Sequence, residues 1–270
     1  MAHNPSVAIV PIEGMMNQML LLCAAGGFIS IYTGLQPSRA GTSLNESNEL
    51  LVTCAMSNPA FGYSSSGVST ADVIAPGTAV ASGDPTWFRM YQADGVTPIL
   101  DGSAGVGSSY DLNLTSPTIK AGTEFFITSF VVNQPIGSPF IGIAPGVASQ
   151  MLNWIAYYAN NGFIEVYSGT KAASANDAVP GGDVLLAKFD LGNPAVTSII
   201  DGELVFSTIA LAIGDAGGTP TWFRMYQSDG TTVLLDGSAG SGGDYDLVLA
   251  IDTISIGQKI GIGSLSLIQN

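Results

Sequence analysis

Short runs of alternating apolar and polar residues recur along this chain, and each run returns about half a chain later. The stretch from Gly27 to Gly34, GFISIYTG, has the period of two expected of a half-buried strand, and its counterpart from Gly162 to Gly169 reads GFIEVYSG. ELLVTCAMS (49–57) and DVLLAKFDL (183–191) predict a second strand in each half. One or two more are expected across 66–81 and 202–213, with the last at YDLNL or YDLVL and at EFFITSFVV or KIGIGSLSL. Before the first strand of each half the pattern changes. MMNQMLLLCAAGG and QMLNWIAYYANNG predict short buried helices over about 16–25 and 150–159, ending at Gly26-Gly27 and Asn161-Gly162, which tolerate a left-handed cap.

The best-defined local feature is a hairpin. TWFRMYQADGVTPILDGSAG (86–105) and TWFRMYQSDGTTVLLDGSAG (221–240) each place a β-rich run on both sides of an Asp-Gly turn. An offset of 135 also aligns Asn58-Pro59-Ala60 with Asn193-Pro194-Ala195, and Tyr110-Asp111-Leu112 with Tyr245-Asp246-Leu247. The chain is therefore an internal duplication. About seven short strands per half predict an all-β protein of two tandem β-sandwich domains, jelly-roll or immunoglobulin-like, each with one short N-terminal helix. The expected boundaries are an extended arm at 1–13, a first domain at 14–134, a linker at 135–147 and a second domain at 148–270. Prolines among the apolar residues suggest that the arm and the linker are extended. Val7, Ile9, Val10, Pro11 and Ile12 then form an arm expected to lie along a neighbouring chain.

Composition narrows the function classes. Seven basic against twenty-one acidic residues give a net charge of −14, which argues against nucleic acid and against anionic membrane surfaces as partners. Only 10% of residues are charged, fewer than a fully solvated surface usually carries, so much of the exterior is expected to be covered by other protein. No basic segment precedes the apolar run at 15–29, so neither a signal peptide nor a membrane span is expected. Cys23 and Cys54 stand where the second half has Tyr158 and Phe189, so buried free thiols are expected rather than a disulfide or a reactive thiol.

Candidate chemistry is sparse. His3 is the only histidine, which leaves little room for histidine-based catalysis or metal binding. The glycines of Gly237-Ser238-Ala239-Gly240-Ser241-Gly242-Gly243 lack the Lys-Ser/Thr ending of a phosphate loop and read as a turn. Asp94, Asp101 and Asp111 recur as Asp229, Asp236 and Asp246. Turn chemistry explains the Asp-Gly steps better than a calcium site or a paired-carboxylate glycosidase does. Trp87, Arg89 and Tyr91 share one strand face, as do Trp222, Arg224 and Tyr226. Either they form an aromatic stripe for sugar or partner, or the arginine is buried against a carboxylate. The latter is expected, with Asp94 and Asp229, or Asp111 and Asp246, as its partners. No cofactor is implied.

The front motif Ile31-Tyr32-Thr33-Gly34 (again at Ile164 to Gly169), the Asn-Pro-Ala step and the hairpin resemble a family of small virion structural proteins of tailed bacteriophages. The resemblance covers most of each half, and the duplication departs from the single-domain members. It implies a non-enzymatic role as a capsid decoration (cement) protein on the icosahedral head, binding the major capsid protein and itself, as a homotrimer. The implied location is the virion, assembled in the bacterial host cytoplasm. A tail, spike or baseplate component with a glycan-binding or host-binding sandwich is the alternative, and a hydrolase acting on surface polymers is the third. Exposed Trp87 and Trp222 would favour the tail reading, and buried ones the head.

Overall fold

A computed structural model describes residues 6–133, 142–200 and 202–268. The fold is all-β with two domains, as the alternation predicts. One compact unit is built mainly on 16–134 and the other mainly on 149–269, and the division runs through both helices. Residues up to Met15 belong with the C-terminal unit, while the residues leading to Ala148 belong with the N-terminal one.

In the N-terminal unit the main sheet runs in the order Leu50–Met56, Gly27–Tyr32, Trp87–Gln92, Pro98–Gly105 and Gly142–Ile143, with Leu112–Asn113 parallel to Pro98–Gly105. Small two-stranded pairings, Val68–Thr70 with Val131–Asn133 and Gly77–Thr78 with Glu124–Phe125, add further β-structure. The C-terminal unit repeats the hairpin sheet and extends it. Its order is Val184–Asp190, Phe163–Ser168, Trp222–Tyr226, Val233–Ser241, Leu247–Leu249, Ile262–Ile268, Glu203–Phe206 and Val196–Ile200. Alternation sets the core: Ile29 and Ile31, then Ile164 and Val166, are fully buried, as are Leu51 and Leu186 on the next strand.

The turns form as the sequence dictates. Gly95 and Gly230 hold φ of 69° and 75°, a region that costs glycine little. Asp94 accepts hydrogen bonds from the N–H groups of Val96 and Thr97, at 2.9 and 2.8 Å, and Asp229 does the same for Thr231 and Thr232. At the helix exits Gly26 and Asn161 take positive φ, as expected.

The helices themselves begin earlier than the sequence suggests, at Ile9–Leu21 and Pro145–Tyr158. The predicted extended arm over 1–13 is thus corrected. Among its described residues only Ser6–Val7 is a strand, and Ile9, Val10, Pro11 and Ile12 are helical. A proline in the first turn costs little, because the first four N–H groups of a helix have no acceptor. Pro145 opens the second helix for the same reason, so the expected linker contains a strand, Gly142–Ile143, and the start of a helix. The remainder of that linker, 135–141, lies outside the described residues.

The arm does not need a neighbouring chain. Ser6 and Val7 pair with Asp236 and Leu235, and the Ala8 N–H donates to the Leu234 carbonyl at 3.0 Å. Gly142 and Ile143 pair with Asp101 and Leu100, and Ala144 donates to Ile99 at 2.9 Å. Each half therefore sends the segment before its helix to the hairpin of the other half. The two arms complete equivalent edges. Pro11 and Ile12 are buried and Val10 is half exposed, so the predicted partner-binding residues are largely spent inside the molecule. Gly14 in the first helix has no space for a side chain: a Cβ there would lie 2.0 Å from the Trp154 ring of the second helix.

Candidate functional site

The repeated hairpin is the natural place to look for chemistry. Trp87 and Trp222 are fully buried, each stacked on a tyrosine of the neighbouring strand: Tyr32 at 4.5 Å and Tyr167 at 4.6 Å between ring centroids. The guanidinium of Arg89 lies 5.4 Å from the Trp87 ring, and Arg224 repeats this over Trp222. Tyr91 is buried and bonds the Tyr32 hydroxyl at 3.0 Å, while Tyr226 stacks on Phe163 at 5.1 Å. No ring face of either tryptophan is left for a sugar.

Both arginines are buried against a carboxylate, but not one of those expected. Arg89 grips Asp101 with two bonds, Nε to Oδ1 at 2.6 Å and Nη2 to Oδ2 at 2.7 Å. Arg224 reaches Asp236 through Nη2 at 3.0 Å, and Lys171 takes the other oxygen at 3.1 Å. Asp94 and Asp229 are instead turn residues, and Asp111 and Asp246 accept from Ser103 and Ser238. The reason is register. A two-residue turn at Asp94-Gly95 alone would set Leu100 opposite Arg89, but a register shift between Met90 and Tyr91 moves Asp101 there. The shift recurs between Met225 and Tyr226. Burial holds the Asp101 carboxyl above the usual carboxylate range, the Arg89 guanidinium offsetting only part of that rise.

The thiols are passive. Cys23 and Cys54 are free and buried, and burial pushes Cys23 up to about 12. Among the described residues no group of three or more His, Cys, Asp or Glu side chains is placed to hold a metal ion. His3 lies outside the described residues.

What the sequence did not point to is a pair of clefts at equivalent places, one in each unit. In the N-terminal unit, a cleft of about 270 Å³ lies between the first helix and residues 59–63. Its walls are Leu20, Leu21 and Ala24 on one side and Pro59, Phe61 and Tyr63 on the other. In the C-terminal unit, a cleft of about 460 Å³ lies between the second helix and the strand Val196–Ile200. Leu21, Pro59, Phe61 and Tyr63 of the first correspond at the 135 offset to Ala156, Pro194, Val196 and Ser198 of the second. The first cleft is apolar, whereas the second mixes amides and hydroxyls with Tyr157, which is 70% exposed. No signal local to either segment joins them, because helix and strand lie some forty residues apart.

No protein-family model, curated protein or solved structure matches the chain.

Proposed function

We propose that this chain is a non-enzymatic structural protein of a bacteriophage virion, a decoration protein that binds the outer surface of the icosahedral head and stabilises it. The observation that carries this reading is how the repeated motif is used. Trp87, Arg89, Trp222 and Arg224 are buried, and the recurring aspartates hold turns, buried ion pairs or serine hydroxyls. Residue types that serve as catalytic or sugar-binding groups elsewhere are here consumed in holding two rigid sandwich-like units. The sparse charge of the remaining surface suits a protein covered by neighbours, and the resemblance of the front motif and the hairpin supports the same assignment.

On this reading the partners are the major capsid protein and further copies of the chain, as a homotrimer. Two similar units in one chain raise the effective concentration of the second once the first is bound, so modest patches can hold firmly. A tail or baseplate component is the second reading, favoured by the exposed Tyr157 beside the polar cleft.

Co-sedimentation of the purified chain with empty heads lacking it tests the proposal. Saturable, stoichiometric binding to heads supports it. Recovery only with tails or host cells moves the assignment to the tail.

A further inference from the structure

One sheet edge in the C-terminal unit is left open beside a cleft. Val196–Ile200 stands last in its sheet, paired on one side with Glu203–Phe206; among the described residues none pairs with its other side. An edge strand turns alternate N–H and C=O groups outward, where they can template another strand. Four consecutive residues, 196–199, line the cleft. A cleft lying over one face of a strand would be lined by every second residue, so it is the edge that looks into it. The opposite wall is the face of the second helix that carries Ser149, Asn153 and Tyr157, with Asn160 just past the helix end.

Two hydrogen bonds hold these walls. Asn160 Oδ1 accepts the Ala195 N–H at 2.8 Å, just before the strand, and Ser149 Oγ accepts the Gly202 N–H at 3.2 Å, just after it. Between those ties the edge is unfilled by the described chain. The sequence there, VTSII, has high strand propensity and carries no lysine, no proline and no charge, three of the usual protections of an exposed edge. Its one irregularity is a register shift between Val196 and Ser198.

We propose that this cleft receives an extended, uncharged segment of a partner protein, which adds as a strand to Val196–Ile200. Three observations select that occupant. Among the described residues no Asp, Glu, Lys or Arg lines the cleft, in a protein whose net charge is −14, so the lining is matched to an uncharged segment. A volume of about 460 Å³ lies within the range of built ligand sites. The fold already completes sheets in this way twice, by adding Ser6–Val7 and Gly142–Ile143 to hairpin edges. The N-terminal unit lacks the site. There Asn17 Oδ1 caps the Ser64 N–H at 2.8 Å, and residues 61–65 form only isolated bridges.

The test uses the full chain labelled for amide-resolved NMR and a capped, uncharged strand-forming hexapeptide, acetyl-Thr-Val-Thr-Ile-Ser-Val-amide. The expected result is saturable shifts confined to 196–200 and the helix face at 149–160. Exchange of the alternate amides that face outward within 197–199 should slow about tenfold or more at saturation. The same peptide with prolines at alternate positions should not bind, since it cannot complete the ladder. Asn153→Arg, an exposed change on the helix wall, should weaken binding about tenfold by placing a charge against an uncharged segment. The proposal is overturned by no shifts at millimolar peptide or by equal response in the cleft at Pro59–Tyr63. Binding of maltohexaose at these residues with none of the peptide would also overturn it, as would self-association through them on raising protein concentration alone.

Discussion

The two copies of the hairpin share TWFRMYQ and LDGSAG, yet they solve the burial of one arginine and one indole differently. In the N-terminal unit Arg89 grips Asp101 through Nε and Nη2, and the indole N–H of Trp87 has no hydrogen-bond partner among the described residues. In the C-terminal unit Asp236 is shared between Arg224 and Lys171, and the indole N–H of Trp222 donates to Asp183 at 2.8 Å. Both differences come from outside the motif. Lys171 and Asp183 stand where the first half has Gln36 and Asn48. Asn48 instead donates to the Leu35 carbonyl at 2.7 Å. The lesson is that a repeated motif fixes the strand pairing, while the loop packed over it decides how the buried polar groups are satisfied.

The largest effect that would break this comparison is loss of an arginine. Arg89→Met leaves the buried Asp101 carboxylate without its counter-charge and should cost the N-terminal unit about 3–5 kcal/mol. Arg224→Met should cost the C-terminal unit roughly half as much, because Lys171 stays on Asp236. Denaturant melts read by amide hydrogen exchange in each unit measure both, and equal losses would contradict the shared-carboxylate account. Next comes the lysine: Lys171→Ala should destabilise only the C-terminal unit, by about 1 kcal/mol, since its side chain is a third exposed. A larger loss, or one felt by the other unit, would count against it.

A smaller effect sharpens the indole difference. Trp222→Phe removes a donor and leaves Asp183 short of a bond, whereas Trp87→Phe removes an N–H that has none to lose. The C-terminal substitution should therefore cost about 1 kcal/mol more than the N-terminal one in the same melts. The smallest concerns the turns, where the halves should agree. Asp229 is held down at about 2 by the hydroxyl and N–H of Thr232, and Asp94 is lowered in the same way by Thr97. A carboxylate lowered by folding stabilises above its unfolded value, near 3.9, and that contribution disappears as pH falls towards about 2. NMR titration of Thr232→Val should show Asp229 returning towards the ordinary range, with Thr97→Val doing the same for Asp94.

Much of the fold was legible because it is written locally. The Asp-Gly hairpins, the left-handed helix exits and the duplication each rest on neighbouring residues, and all-β architecture follows from the period of two. The identity of the arginine partners was not, because one extra residue in a strand shifts every pairing beyond it. Prolines at 11 and 145 read as breaks in extended arms although both sit in first helical turns, where proline is tolerated. The clefts and the exchanged arms were hidden for a third reason: they join segments far apart in sequence, and neither segment signals its partner.

The account stands most directly on the arm exchange, and one cross-link tests it. In a chain carrying Cys23→Ala and Cys54→Ala, Val7→Cys and Leu235→Cys place thiols on residues paired across adjacent strands. Oxidation should give a chain of monomer mass with faster mobility on a non-reducing gel, unchanged on dilution. Dimers that vanish on dilution, or no cross-link at all, would contradict the exchange within one chain.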